Sequence, residues 1–182
     1  RARSRLSKFN KHLLNNSPTN SFCKVEHFES FDCNRPHEKR ILEIGFGDGE
    51  NLITSALDNL YYSFYGIEVY EMGVANILKI MEKKCINNVK IILGDAVEVL
   101  AKNSAENYFD EILIFFPDPW PKRKHNKRRL ISENFLYDIK KILKNDGVLI
   151  IKTDWKAYAK EIEQNIKKTF GRYKKFLDKK AN

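Results

Sequence analysis

The stretch "RILEIGFGDGENLITSALDNL", residues 40–60, joins a short apolar run, a glycine-rich turn and a helical segment. Residues 40–44 have the length and the composition of a buried β-strand. The three glycines that follow interrupt the run in the pattern G-x-G-x-G, which is typical of a tight turn. Residues 50–60 are a helix candidate. A strand, a tight turn and a helix in this order predict the first part of a βαβ unit.

The same alternation of strands and helices continues to the end of the chain. Four more apolar runs of strand length occur at residues 63–69, 89–93, 111–116 and 147–153. Helix candidates lie between and after them at residues 71–84, 96–102, 132–143 and 156–168, and Ser132 is a candidate N-cap. All five strands are nearly continuous in apolar residues, so we expect both of their faces to be buried. We therefore predict an α/β fold with a Rossmann-like, doubly wound, mostly parallel sheet.

The composition fits one compact domain with an additional basic segment. The chain has 182 residues, of which 42% are hydrophobic, and its net charge is +9. Residues 1–40 carry nine basic and four acidic side chains, residues 41–121 carry five and 13, and residues 122–182 carry 19 and seven. We predict a basic N-terminal arm at residues 1–38 and the α/β domain at residues 39–182. An acidic middle between basic ends indicates a polyanionic partner and a cationic ligand.

Several classes of protein do not fit the sequence. No run of about 18 apolar residues occurs, and no signal segment opens the chain, so we expect a cytoplasmic protein without a membrane span. The three cysteines, Cys23, Cys33 and Cys85, lack the paired short spacings of a zinc site. We therefore expect reduced thiols and no bound metal.

Carboxylates stand at or directly after the end of every predicted strand. In chain order they are Glu43, Glu68, Asp95, Asp118 and Asp154. In a sheet of this kind, ligands bind at the carboxyl ends of the strands. Five acids that follow the strand boundaries are difficult to explain as a solvated surface, so the sequence predicts a binding site at this edge.

The glycine pattern discriminates between cofactors. The glycines are Gly45, Gly47 and Gly49, whereas a dinucleotide fingerprint requires its third glycine where this chain has Glu50. Glu43 and Asp48 beside the turn would repel a pyrophosphate, and no lysine follows to bind one. S-adenosylmethionine offers these acids a sulfonium and an ammonium group and carries no phosphate. The sequence thus favours S-adenosylmethionine as the cofactor.

Two of the acids have a predicted task in holding that cofactor. Glu68 lies 23 residues after Gly45, at the end of the second predicted strand, where it is placed to accept hydrogen bonds from ribose hydroxyls. Asp95 is placed to reach the adenine amino group. The alternative is a tight strand-to-helix turn with incidental surface acids.

Five motifs together resemble the bacterial tRNA (guanine-N7-)-methyltransferase family. They are "LEIGFGDGENL", "YGIEVYEMGV", "GDAVEVL", "FFPDPWPKRKHNKRRL" and "KTDWKAYA", in the same order as in the family and within residues 40–160. The resemblance implies contacts to S-adenosylmethionine by Glu43, Glu68 and Asp95. It implies an active-site role for Asp118 and substrate contacts by Lys122 and Asp154. It also implies contacts to tRNA by Lys124, His125, Asn126, Lys127, Arg128 and Arg129.

The resemblance further implies that a guanine in the tRNA variable loop is methylated. Six of the eight residues 122–129 are Lys or Arg, as expected of a segment that binds phosphates. Family members usually continue into further strands beyond the point where this sequence stops, so we expect a shortened C-terminal edge of the sheet. Either a monomer or a homodimer fits the sequence.

The chemistry of guanine N7 assigns a specific task to Asp118. N7 carries an in-plane lone pair and no proton, so it needs no general base. We therefore expect the Asp118 carboxylate to accept hydrogen bonds from the guanine N1–H and amino group, which orients N7 and stabilises the charge that develops on the ring. Trp120 fits either stacking on a base or packing within the loop. His125 fits a hydrogen-bond donor to RNA better than a catalytic base.

Two other functions fit the same motifs. An amino-methyltransferase that acts on adenine or glutamine would carry a related Asp/Asn-Pro-Pro-aromatic motif after the fourth strand. A non-catalytic RNA-binding protein could keep the fold without the activity. The predicted cofactor-binding acids argue against this second alternative.

Overall fold

A computed structural model describes residues 7–16, 21–31, 39–171 and 173–174. Its α-helices are α1 (Lys8–Asn16), α2 (Glu50–Asp58), α3 (Glu71–Lys83), α4 (Ala96–Lys102), α5 (Glu133–Ile142) and α6 (Lys156–Phe170). Its strands are β1 (Phe22–Lys24), β2 (Arg40–Ile44), β3 (Ser63–Glu68), β4 (Val89–Leu93), β5 (Phe109–Phe115) and β6 (Leu143–Lys152). Two short 3-10 helices span Val25–His27 and Arg123–Arg128. The five predicted helices and five predicted strands all occur, with bounds that differ by at most a few residues.

The strands form one sheet in the order β1-β4-β3-β2-β5-β6, and every pair of neighbours is parallel. The chain winds outward from β2 through β3 to β4 and then returns to the other side of β2 to form β5. The point between β2 and β5 is therefore a topological switch point, where doubly wound sheets bind their ligands. The predicted fold class is confirmed.

Helices cover the sheet on both sides and divide the core into two clusters. Residues of α4, α5 and α6 pack with the sheet in one cluster, whereas residues of α1, α2 and α3 pack with it in the other. All six residues of β3 are buried, because this central strand is covered on both faces. Each large apolar side chain buried in this way contributes about 1.5–3 kcal/mol to folding. These layers fix the carboxyl edge of the sheet, where the predicted site lies.

The prediction that all five strands are buried on both faces is wrong for β6. Its residues from Gly147 to Lys152 alternate between partly buried and exposed positions, and Val148 and Ile150 are 49% and 36% exposed. β6 lies at the edge of the sheet, and among the described residues no helix covers this face. The strand also begins at Leu143 rather than at residue 147, with a register irregularity opposite Phe109 and Glu111.

Helix α1, β1 and the 3-10 helix Val25–His27 precede residue 39, in the segment that was predicted to be a basic arm. Helix α1 packs against α3, and β1 extends the sheet beside β4. The amphipathic pattern of α1 covers only nine residues, and β1 has only three, so neither gives a strong periodic signal. The described residues of this segment therefore belong to the same layers as the rest of the fold.

None of the described helices is both long enough and apolar enough to cross a membrane. In the same residues, no cluster of three or more His, Cys, Asp or Glu is placed to hold a metal ion. Cys23 and Cys85 are free thiols. Cys33, which was predicted to be reduced as well, lies outside the described residues.

Candidate functional site

The parallel sheet brings four of the five predicted acids to one edge. From the strand order, the groups at the carboxyl ends follow one another as Asp95, Glu68, the glycine loop (residues 45–49), Asp118 and Asp154. Neighbouring strands are about 4.8 Å apart, so these groups span roughly 19 Å. The glycine loop and Asp118 flank the switch point between β2 and β5.

The glycine loop turns sharply between β2 and α2. Gly45, Gly47 and Gly49 all have positive φ angles, between 60° and 77°, which side chains other than glycine adopt at a cost. The N–H of Gly45 donates to the carbonyl of Ile67 at 2.8 Å, which fixes the start of the loop to β3. A Cβ atom at Gly45 or Gly47 would meet no protein atom within 4 Å. The open side of the loop thus leaves space for a ligand to approach the backbone.

Gly73 on α3 lets the glycine loop approach that helix. A Cβ atom at Gly73 would lie 2.2 Å from the carbonyl oxygen of Gly47, so only glycine fits there. Gly73 was not among the site residues predicted from the sequence. The sequence feature that could have indicated its role is a glycine inside a helix candidate, which often marks a close approach of two backbone segments.

Glu68 at the end of β3 is bound to the glycine loop. Its Oε2 accepts a hydrogen bond from the N–H of Gly47 at 2.8 Å. Its Oε1 accepts from the N–H groups of Val69 and Tyr70 at 2.7 and 2.9 Å. A carboxylate has roughly four acceptor positions, so Glu68 keeps the capacity for one further donor. The acid predicted to bind a ribose therefore also holds the loop in place.

Glu43 lies within β2 and faces α2 rather than standing beyond the strand end. It is only 3% exposed, and its Oε2 accepts a hydrogen bond from the Asn51 side chain at 2.8 Å. Burial raises the pKa of Glu43, while the Asn51 hydrogen bond and the charge of Lys152 oppose the shift. The side chain lines a cavity of about 270 Å³ between α2 and the sheet. Glu43 is thus a buried acid whose charge is only partly compensated.

Asp95 is the N-cap of α4. Its Oδ1 accepts a hydrogen bond from the N–H of Val97 at 2.8 Å, and its side chain is exposed. Two valines beside the acids are also unusually exposed: Val69 after Glu68 is 62% exposed, and Val97 is 48% exposed. These apolar neighbours were not predicted from the sequence, because the predicted site rested on charged groups. Together they offer a flat ligand both polar and apolar contacts.

The loop after β5 contains Asp118 and three prolines, which are Pro117, Pro119 and Pro121. We call residues 116–121 the proline loop. Phe116 and Trp120, which flank its centre, have positive φ angles of 51° and 40°. Such angles cost of order 1–3 kcal/mol each for residues other than glycine, so surrounding contacts must hold the loop. The Asp118 side chain is exposed at the carboxyl edge of the sheet, where a substrate can reach it.

The Trp120 ring is covered in part by the basic run, residues 122–129. The Arg128 guanidinium lies 5.0 Å from the ring centroid, and the His125 ring packs edge-on at 5.6 Å. The indole is nevertheless half-buried rather than buried. The Trp120 ring thus packs against Arg128 and His125 while part of it stays accessible.

Most of the basic run is exposed on a 3-10 helix directly beside the proline loop. The exposed side chains are Lys122, Arg123, Lys124, Asn126, Lys127 and Arg128, whereas His125 is half-buried. The 3-10 helix was not predicted from the sequence. Asp154, which follows β6, is exposed at the same edge of the sheet. The run therefore offers a dense positive surface next to Asp118.

Arg129 differs from the rest of the basic run. Its side chain is only 7% exposed, and its guanidinium forms an ion pair with Glu161 on α6. Its Nε also donates a hydrogen bond to the carbonyl of Pro119 at 2.7 Å. The prediction that Arg129 contacts tRNA disagrees with this placement, because protein groups already occupy the guanidinium.

A known protein family matches the part of the chain that carries this site. The model of a family described as "Putative methyltransferase" matches residues 37–181, which include the whole carboxyl edge described above. The chain belongs to this methyltransferase family. The match extends over the glycine loop, the proline loop and the basic run alike.

Curated relatives of this methyltransferase carry a more specific name. A "tRNA (guanine-N(7)-)-methyltransferase" from Buchnera aphidicola subsp. Schizaphis graminum is 48% identical over 118 residues, which are 65% of this chain and 49% of the relative. One with the same name from Buchnera aphidicola subsp. Baizongia pistaciae is 49% identical over 122 residues, which are 67% of this chain and 50% of the relative. The resemblance that the motifs indicated is confirmed. The methyltransferase chain spans about half the length of the curated relatives it matches.

Solved structures support the fold of the methyltransferase. The "Structure of an Antibiotic Related Methyltransferase" has a TM-score of 0.57 at 18% sequence identity and covers 79% of this chain and 77% of its own. At this low identity the likeness concerns the fold alone.

Proposed function

We propose that this protein transfers a methyl group from S-adenosylmethionine to N7 of a guanine in the variable loop of tRNA. The observation that carries the proposal is the placement of an exposed acid, Asp118, between the glycine loop and the basic run at one edge of the sheet. The names of the relatives support the same reaction.

The glycine loop and its neighbours fit S-adenosylmethionine. The space above Gly45 and Gly47 admits a ligand, and the unused acceptor position of Glu68 suits one ribose hydroxyl. The exposed side chains of Val69 and Val97 suit the faces of an adenine ring, while Asp95 suits its amino group. When bound, the cofactor supplies a methyl group on a positively charged sulfur. The acidic side chains around the glycine loop complement the positive charge of this sulfur, which basic side chains would repel.

Asp118 orients the guanine in this proposal. Its exposed carboxylate accepts hydrogen bonds from the N1–H and the amino group of the base, so that N7 points towards the glycine loop. N7 has no proton to lose, so no residue of the chain has to act as a base. The negative charge of Asp118 also stabilises the positive charge that develops on the ring. Asp154 and Lys122 lie at the same edge and hold neighbouring parts of the substrate.

The basic run binds the tRNA backbone. Each phosphate that a lysine or arginine neutralises releases counterions, which supplies affinity but little choice of sequence. The exposed members of the run, among them Lys124 and Lys127, stand beside the proline loop and thus beside the target base. Binding of the phosphates and reading of the base are therefore separate tasks of neighbouring segments. A tRNA substrate places the proposed reaction in the cytoplasm. For the oligomeric state, we propose a monomer or a homodimer.

A transfer assay tests this proposal. Labelled S-adenosylmethionine is incubated with the protein and with unmodified tRNA, and label in the RNA is counted. We expect transfer to tRNA and little transfer to double-stranded DNA or to free adenine-rich RNA of the same length. If the protein binds the cofactor but transfers no label to tRNA, the proposed reaction is wrong and the non-catalytic alternative gains support.

A further inference from the structure

We propose that Arg129 is a positioning residue that holds the proline loop, and with it Asp118, in the geometry for methyl transfer. The inference rests on the proposed function for its catalytic consequence. It assigns to Arg129 a task different from that of the other basic residues of the run.

The Arg129 guanidinium lies between the proline loop and α6. Its Nε donates to the carbonyl of Pro119 at 2.7 Å, and one terminal nitrogen makes a longer contact of 3.5 Å to the carbonyl of Trp120. The other terminal nitrogen donates to the carboxylate of Glu161 on α6. Pro119 directly follows Asp118, so the guanidinium is hydrogen-bonded to the backbone of the residue next to the substrate-facing acid.

A rigid part of the core supports the guanidinium from below. The Arg129 guanidinium carbon lies 5.0 Å from the centroid of the Tyr158 ring, and Tyr158 is fully buried. The Tyr158 hydroxyl accepts a hydrogen bond from the N–H of Ile131 at 3.0 Å. Planar arginine side chains stack well on aromatic faces, and lysine cannot reproduce this arrangement. The hydrogen bonds of the guanidinium and its contact with the Tyr158 ring together fix the position of the Arg129 side chain.

The proline loop needs such support because its own backbone provides little. Prolines donate no backbone hydrogen bond, and three of the six residues of the loop are proline. The N–H of Phe116 donates to the carbonyl of Lys152 at 2.8 Å, which fixes only the start of the loop. Phe116 and Trp120 also hold unfavourable positive φ angles. The side chain of Arg129 fixes the part of the loop that follows Asp118, because it contacts the carbonyl groups of Pro119 and Trp120.

The same contacts make Arg129 a poor candidate for phosphate binding. All three of its nitrogens have protein partners, and its side chain is 7% exposed. Arg128, by contrast, is exposed, and its guanidinium lies over the Trp120 ring at the surface. Adjacent arginines thus face in different directions, one towards solvent and one towards the core.

A pair of variants separates positioning from phosphate binding. Arg129→Lys keeps the positive charge but loses the forked hydrogen bonds and the stacking. We expect its kcat at saturating tRNA and cofactor to fall about 10- to 100-fold, since a misplacement of about 1 Å can cost that much. Its tRNA affinity and the salt dependence of binding should not change. Arg128→Ala, at the exposed neighbour, should instead weaken tRNA binding and reduce the salt slope.

Glu161 gives a second variant that leaves the core intact. Glu161→Gln should lower kcat in the same direction as Arg129→Lys but by less, because the amide oxygen still accepts a hydrogen bond. Glu133→Gln is the matched control, since Glu133 forms an exposed ion pair with Lys168 of α6, the helix that also carries Glu161, and has no contact with Arg129 among the described hydrogen bonds and ion pairs. If Arg129→Lys weakens tRNA binding and leaves kcat unchanged, Arg129 binds phosphate and the proposal fails.

A fluorescence measurement tests the contact without the reaction. In a Trp155→Phe background Trp120 is the remaining tryptophan, because the chain has two. We expect Arg129→Lys to increase acrylamide quenching of Trp120, and unchanged quenching would overturn the proposal. If the wild-type protein methylates no tRNA, the proposed function fails, while the quenching result still decides whether Arg129 holds the loop.

Discussion

The carboxylate of Glu68 accepts a hydrogen bond from the N–H of Gly47 at 2.8 Å and thereby joins the end of β3 to the glycine loop. The same side chain accepts two further hydrogen bonds from backbone groups at its own strand end. The acid assigned to the cofactor ribose is thus also part of the frame that shapes the cofactor site. Its removal should therefore affect binding more than the loss of one ligand contact would.

We predict that Glu68→Gln lowers the affinity for S-adenosylmethionine about 10- to 100-fold. An amide has one acceptor oxygen, so it cannot accept hydrogen bonds from the loop and from the strand end together. Hydrogen bonds to a charged group are worth about 1.5–3 kcal/mol, which corresponds to this range. Isothermal titration calorimetry measures the change. Glu71→Gln, which neutralises an exposed acid three residues later, serves as the control, and equal affinity of both variants would contradict the prediction.

We predict that Asp118→Ala lowers kcat about 10²- to 10³-fold, because the guanine loses its orienting carboxylate and the charge on the ring loses a partner. The side chain is exposed and forms no part of the core, so the fold should persist. Single-turnover methylation with saturating tRNA measures the rate, and filter binding measures tRNA affinity. A variant that binds tRNA normally and methylates at the wild-type rate would refute the assignment.

We predict that the double variant Lys124→Ala with Lys127→Ala weakens tRNA binding and makes it less sensitive to salt. Each lost phosphate contact should reduce the slope of log affinity against log salt concentration by about one. Cofactor affinity should stay the same. The control is Lys83→Ala with Lys84→Ala, which removes the same charge at the end of α3, at the opposite edge of the sheet. An equal loss of tRNA affinity in the control would indicate a general charge effect.

We predict that Glu43→Gln stabilises the protein at neutral and higher pH. Burial raises the pKa of Glu43 above its ordinary value of 4.5, so the folded protein holds this proton to a higher pH than the unfolded chain does. Stability therefore falls as the pH rises from 4.5 through the pKa of the folded state. Glutamine removes this loss and can still accept the hydrogen bond from Asn51.

Denaturant unfolding of the wild type and of Glu43→Gln at a series of pH values measures this effect. The stability advantage of the variant should be largest at about pH 8 and should shrink towards about pH 4, where Glu43 is protonated in both states. A constant difference across this range would mean that the charge of Glu43 is not the cause.

The central part of the fold was predictable from the sequence because its strands are covered on both faces. Such strands read as continuous apolar runs, and the predicted bounds of β2 and β4 agree with the structure. Ser132 was predicted as an N-cap, and its hydroxyl accepts a hydrogen bond from the N–H of Phe135 at 3.3 Å. Local patterns of this kind need no knowledge of distant residues.

Other features depend on contacts that the sequence pattern does not reveal. The apolar residues of β6 gave the same signal as a central strand, but the strand lies at the edge of the sheet and exposes Val148. Arg129 looked like another member of a solvated basic run, and only the packing of α6 shows that it is buried against Tyr158. Glu43 was assigned to the strand end, although its side chain turns towards Asn51 on α2.

The position of the transferred methyl group tests the central claim most directly. Unmodified tRNA is incubated with the protein and S-adenosylmethionine, and the product is reduced and treated with aniline, which cleaves the chain at N7-methylguanine. The account predicts one new cleavage site, at a guanine of the variable loop, that is strongly reduced when Asp118→Ala replaces the wild type. A methyl group on an exocyclic nitrogen, which resists this cleavage, would contradict the account and support an amino-methyltransferase.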